Sequence, residues 1–137
     1  MLTPRPRTCV LQVPPFDPSR TLGGAEVIAV ELVRALASAG DVTVLHGYEP
    51  GTAPAAARRF PSYPAEVLPA FPLDDHVRYR GHIRPRLTAP ARDAVASADV
   101  LVSIERTLDL PCAAKRIVML GGVGYPHTRD VLGSGAW

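Results

Sequence analysis

Apolar positions recur along this chain with two different periods. Residues 8–13 (TCVLQV) are mostly apolar without helical spacing, the pattern of a short strand buried on both faces. Residues 27–39 switch to a helical period, and Glu31, Arg34 and Ser38 are its polar positions after the first turn. So narrow a polar stripe predicts a helix covered over most of its circumference. Gly40 ends it, as glycine often does just past a helix. Residues 42–45 (VTVL) then predict a second strand.

Downstream the pattern is less regular. Residues 48–72 form a long connection punctuated by proline, with residues 65–68 (AEVL) as its one strand candidate. Then His76, Arg78, Arg80, His82, Arg84 and Arg86 alternate with Val77, Tyr79, Gly81, Ile83 and Pro85. The alternation predicts an extended segment. Tyr79, Ile83 and Leu87 have helical spacing instead, against which Pro85 argues, and both readings stay open. Thr88 is the expected N-cap of a helix over residues 89–97, with Pro90 allowed in its first turn. Residues 100–104 (VLVSI) and 116–120 (RIVML) read as two further strands, the last running into Gly121-Gly122-Val123-Gly124-Tyr125-Pro126-His127.

Strands alternating with helices predict the α/β class, and within it a Rossmann-like, doubly wound parallel sheet with right-handed crossovers. Ligands in such sheets sit beyond the carboxyl ends of the strands. Both glycine-rich segments fall at predicted strand ends. Paired glycines let a ligand approach the backbone, and they leave the N–H groups of a helix start pointing at it. Gly23, Gly24, Gly121 and Gly122 are therefore candidate substrate-binding residues. Asp17, in the loop before the first pair, either orients a ligand hydroxyl or starts a turn before Pro18. His127 is a further candidate, and His46, at the end of the second strand, a weaker one. Glu26 is expected to serve the helix dipole rather than a ligand. The basic run from Arg78 to Arg86 either grips an anion, such as a phosphate, an acidic sugar or a membrane surface, or is solvated. It lacks the apolar face of an interfacial helix, so a membrane partner is not favoured.

Composition mostly excludes. A length of 137 residues predicts one domain with a core of its own. A net charge of +2 is too small to argue for a nucleic-acid partner. Cys9 and Cys112 lie in no metal-ligand spacing, and no metal site is expected. Arg5 and Arg7 with Pro4 and Pro6 make no secretory leader, which sets the expectation of a cytoplasmic chain. Dinucleotide binding would need three spaced glycines and an acid closing the second strand, which instead ends Leu45-His46-Gly47. The phosphate-loop lysine pattern and Gly-x-Ser-x-Gly are both absent.

The first strand, the loop ending Leu22-Gly23-Gly24-Ala25-Glu26, the long helix closing on Ala39-Gly40 and the strand over 42–45 resemble the opening of GT-B glycosyltransferases of family four. The later runs 98–102 and 116–120 resemble subsequent strands of the same domain more loosely. The resemblance implies a retaining transferase that moves a hexose from a nucleotide sugar to a small-molecule or glycan acceptor, without a metal or other cofactor. The present chain would be its N-terminal, acceptor-binding half. The family's donor half carries two glutamates seven residues apart, and no glutamate follows Glu105 here. The donor-binding C-terminal domain is thus expected in a longer polypeptide, as Trp137 at the last position also hints, or in a separate chain. The family often places a histidine where Gly121-Gly122 stand, whereas His127 comes later. The alternative is a non-catalytic binding module of the same half-fold, partnering another chain.

Overall fold

Register explains most of the architecture. The computed structural model describes residues 4–20, 23–120 and 133. Its sheet strands are β1 (Arg7–Gln12), β2 (Asp41–Tyr48), β3 (Arg58–Arg59), β4 (Ala65–Pro72), β6 (Val100–Ile104) and β8 (Lys115–Met119). They lie in the order β3-β4-β2-β1-β6-β8. All neighbours pair parallel except the short edge strand β3, which is antiparallel to β4. The helices are α1 (Gly24–Ala37), α2 (Asp75–Arg78) and α3 (Ala89–Ser97), and a small second sheet joins β5 (His82–Ile83) to β7 (Thr107–Leu108). The chain is thus an α/β protein built on a mostly parallel sheet.

Side chains alternate across a strand, so parallel register lines them up in rows. One row runs Val67, Val44, Val10, Val102 and faces α1, where Ala29, Val30 and Val33 complete a core with Phe16 and Tyr63. The next runs Leu68, Leu45, Leu11, Ser103, Val118 on the opposite face. There Ala91 and Val95 of α3 pack with Leu73, Val77, Ile83, Leu108 and Leu110. Cys9 belongs to this second core, as expected of a small buried thiol, and burial raises its pKa to about 11. The Tyr63 hydroxyl donates to the Val30 carbonyl at 3.1 Å, fixing α1 over the chain that precedes β4.

Three expectations need correction. First, α1 is covered on one side only: Val27 and Ile28 are each 47% exposed. The narrow polar stripe does not translate into burial because, among the described residues, the helix packs against a single sheet face. Second, β4 runs well past the expected residue 68. Pro69 should end a strand, but the register skips between His46 and Gly47, and β3 pairs only as far as Val67. The missing N–H of Pro69 therefore falls at a bulge on an edge, where proline is tolerated. Third, Gly40 does not adopt the left-handed conformation of a typical helix end. A Cβ there would lie 2.3 Å from the Pro6 carbonyl oxygen, so close approach is what requires glycine.

Between Asp74 and Arg86 both open readings hold, in succession. Asp74 caps α2 by accepting from the Val77 N–H at 3.1 Å, and one helical turn follows. From Gly81 the chain is extended, with Gly81, Ile83 and Pro85 buried and His82, Arg84 and Arg86 exposed. Helix α3 forms as its signals predict: Thr88 accepts from the Ala91 N–H at 3.4 Å, and Pro90 sits in the first turn.

Candidate functional site

Strand order reverses at β1. The chain leaving β1 climbs onto the face covered by α1, and the chain leaving β6 turns to the opposite face, where Leu108 and Leu110 enter the second core. The carboxyl ends of β1 and β6 thus diverge at a topological switch point, where open parallel sheets bind ligands.

The polar residues buried at this edge are unusual. Gln12, at the end of β1, and His46, two residues before the end of β2, are register partners, both directed to the α1 face. His46 is 4% exposed, and its Nδ1 lies 2.7 Å from the Gly47 carbonyl oxygen. A carbonyl only accepts, so Nδ1 carries the proton and Nε2 is left as an acceptor. Burial lowers the His46 pKa below its ordinary 6.5, against the carbonyl bond, and the Arg58 charge adds to the lowering. Ser103, 3% exposed, is the polar member of a row of apolar side chains and lines a cavity of about 350 Å³ with Leu101, Thr107 and Ile117. Arg106, 7% exposed, follows Glu105, whose φ of 59° is left-handed, and donates from Nη1 to the Glu105 carbonyl at 3.2 Å. Burial lowers its pKa too, with Glu105 opposing.

Among the described residues, three buried side-chain atoms have no hydrogen-bond partner: His46 Nε2, Ser103 Oγ and Arg106 Nε. His46 lies in the second half of β2 on the α1 face, Ser103 near the end of β6 on the opposite face, and Arg106 in the turn after β6. Leaving a buried polar atom unpaired costs about 1–3 kcal/mol. All three lie toward the edge where open parallel sheets bind ligands.

The expected site residues fall out unevenly. Gly23 is the N-cap of α1, extended at φ −148° and ψ 167°, and it offers no side-chain cap. Neither Gly23 nor Gly24 has a left-handed backbone, and a Cβ at either would meet nothing within 4 Å. The fold does not demand these glycines; their lack of side chains leaves the approach to the helix start open. The Asp17 carboxylate accepts from the Ser19 N–H at 2.9 Å and hydroxyl at 2.5 Å, which hold its pKa below 3.8, the hydroxyl most. Its turn-forming role is thus realised. Gly121, Gly122 and His127 lie outside the described residues. Ser103 and Arg106 were not among the expected residues. Ser103 had a signal, as the one polar residue in residues 100–104, whereas Arg106 had none.

The basic run is divided. Arg78 pairs with Glu49 at 3.1 Å and also donates to the Leu73 carbonyl, away from the others. His76, Arg80, His82, Arg84 and Arg86 line an open cleft of about 710 Å³ with Asp74 and Asp109. Arg84 donates from Nε to Asp109 at 2.8 Å, and that bond, with the charge behind it, holds the Asp109 carboxyl below its usual range.

Among the described residues, no group of three His, Cys, Asp or Glu side chains is arranged to hold a metal ion, and no helix is long and apolar enough to cross a membrane. Comparison with known protein families, with curated proteins and with solved structures finds no match to this chain.

Proposed function

We propose that this chain is a Rossmann-like, doubly wound half of a GT-B glycosyltransferase, the half that binds the acceptor, with a nucleotide sugar held by a second α/β unit. One observation carries the reading: the three unpaired buried groups lie toward the carboxyl edge of the sheet, His46 on the α1 face and Ser103 on the opposite one. An imidazole acceptor, a serine hydroxyl and a guanidinium donor suit a ligand rich in hydroxyls. The parallel-strand order, three strands outward on one side of the switch point and two on the other, is compatible with the doubly wound fold and supports the same reading. The start of α1, where Gly23 supplies no side-chain cap, suits a developing negative charge such as that of a leaving diphosphate. Val27 and Ile28, exposed just past Gly24, give a second unit something apolar to close upon. Catalysis in this reading rests on positioning and on charge stabilisation, without a resident cofactor.

The test is a titration of the isotope-labelled chain with methyl glycosides, followed by amide and side-chain NMR shifts. Shifts centred on Gln12, His46, Gly23, Gly24 and Ser103 are expected. Shifts confined to the amino edge of the sheet would overturn the proposal. A second reading, a non-catalytic binding module, is favoured by Asp17: the sole carboxylate in the loop from β1 to α1 is committed to its own turn.

A further inference from the structure

The cleft lined by Arg80, Arg84 and Arg86 is a second feature of the carboxyl edge, and it has a chemistry of its own. It forms because residues 73–87, leaving the end of β4, pass from α2 into an extended stretch whose alternate side chains are buried. Ile83 and Pro85 go into the core, and so His82, Arg84 and Arg86 project together to the outside. Arg80, past the end of α2, and His76 complete the wall.

Charge within the cleft is not balanced. Asp109 is engaged by Arg84, and Asp74 is engaged in capping α2. Arg80 and Arg86 have no acidic partner among the described residues. Arg84, though paired, is oriented by the pairing: Nε and Nη2 both address one carboxylate oxygen. Arg80 and Arg86, without a carboxylate of their own, leave the concavity positive, and the planar fork of a guanidinium matches the oxygens of a phosphate.

We propose that this cleft binds a phosphomonoester group carried by a soluble ligand. The inference rests on the reading above that the carboxyl edge takes the acceptor, and it adds that the acceptor is phosphorylated. A soluble ester is favoured over a membrane surface by the surroundings. The feature is concave, α2 is only four residues long, and Tyr79 is the one exposed large apolar side chain on this stretch. Interfacial binding needs a broad apolar face, and none is present here.

The experiment uses the full 137-residue chain. Glycerol 3-phosphate, inorganic phosphate and glycerol are titrated at low and high salt, followed by NMR shifts and calorimetry. The two phosphates are expected to bind and glycerol to show no binding, with affinity falling as salt is raised. Arg80→Ala/Arg86→Ala should weaken glycerol 3-phosphate by tenfold or more. Arg78→Ala, which breaks the pair with Glu49, should change it less than twofold. Arg80→Lys/Arg86→Lys keeps the charge without the fork and should recover part of the affinity, which separates recognition from misfolding. Equal losses in the Arg78 and Arg80/Arg86 variants would overturn the proposal. So would tighter binding to vesicles of anionic phospholipid than to the soluble ester at equal phosphate concentration. If phosphates fail to bind while methyl glycosides still shift His46 and Ser103, this inference falls and the acceptor reading stands; if neither binds, both fall.

Discussion

A single histidine shows how burial at the edge of this sheet becomes measurable. His46 is kept neutral in the folded chain because its site disfavours the charged ring. In the unfolded chain it titrates near 6.5. Below that pH the unfolded state binds a proton that the folded state does not, so stability falls as pH falls, until the lowered folded pKa is reached. The expected slope in urea denaturation just below pH 6.5 is at most about 1.4 kcal/mol per pH unit. His46→Gln should flatten it. The carboxylates of Asp17 and Asp109 are lowered from 3.8 instead, so their contributions vanish only in a more acidic window. A His46→Gln chain with an unchanged slope would place the cause elsewhere. Glycines make the second case at this scale. Gly47→Ala puts a Cβ 2.6 Å from the Val13 carbonyl oxygen and 2.2 Å from a Leu73 methyl, and should cost about 1–3 kcal/mol through overpacking. Gly24→Ala meets only open space inside a helix turn, and should raise stability by up to about 1 kcal/mol. Under the proposed function it should nonetheless weaken ligand binding at the helix start. Thermal melts beside glycoside titrations check both, and a Gly24→Ala chain with undiminished binding would remove the glycine pair from the site.

Among the elements, α3 was the most legible, β4 was legible only in its first half, and β3 and β7 were not expected. Thr88, Pro90 and the run that follows encode α3 locally, because a cap and a fixed φ act on their own turn. Thr88→Ala should cost about 1 kcal/mol, measured by urea denaturation, since the Ala91 N–H loses its acceptor. A cost near zero would mean that the Thr88 N–H bond to the Ala70 carbonyl, at 2.8 Å, holds this corner unaided. Strand β4 could not be read past Pro69, because tolerance of that proline depends on which neighbour pairs beside it. The segment 74–86 carried two periods at once, and its split into α2 and an extended stretch follows from Asp74 as a cap and from the cores that Val77 and Ile83 enter.

At the scale of the whole molecule, five parallel strands in one sheet bury two separate apolar layers. The chain positions buried polar groups at one edge, while the donor's contacts in the proposed reaction belong to a second unit. This chain by itself is therefore expected to bind glycosides without transferring sugar from nucleotide sugars. Incubation with a panel of nucleotide sugars and product analysis would test it, and robust turnover would overturn the division of labour. Val10→Ala, in the middle of the row shared by four strands, should loosen the α1 layer by about 2 kcal/mol or more, visible as a lower denaturation midpoint.

The sequence by itself determined the α/β class, the positions of β1, β2, β6, β8, α1 and α3, and the glycine pair at the start of α1. These depend on apolar periodicity, caps and breakers that act within a few residues. Only the tertiary structure decided which polar residues share an edge. Gln12 faces His46 through the register of β1 and β2, and Ser103 sits opposite Leu11 through the register of β1 and β6. Arg106 is buried by the turn at Glu105, and Arg78 leaves the basic run to meet Glu49. Such juxtapositions join residues dozens of positions apart, and their energies come from burial and pairing, which no local pattern along the chain encodes.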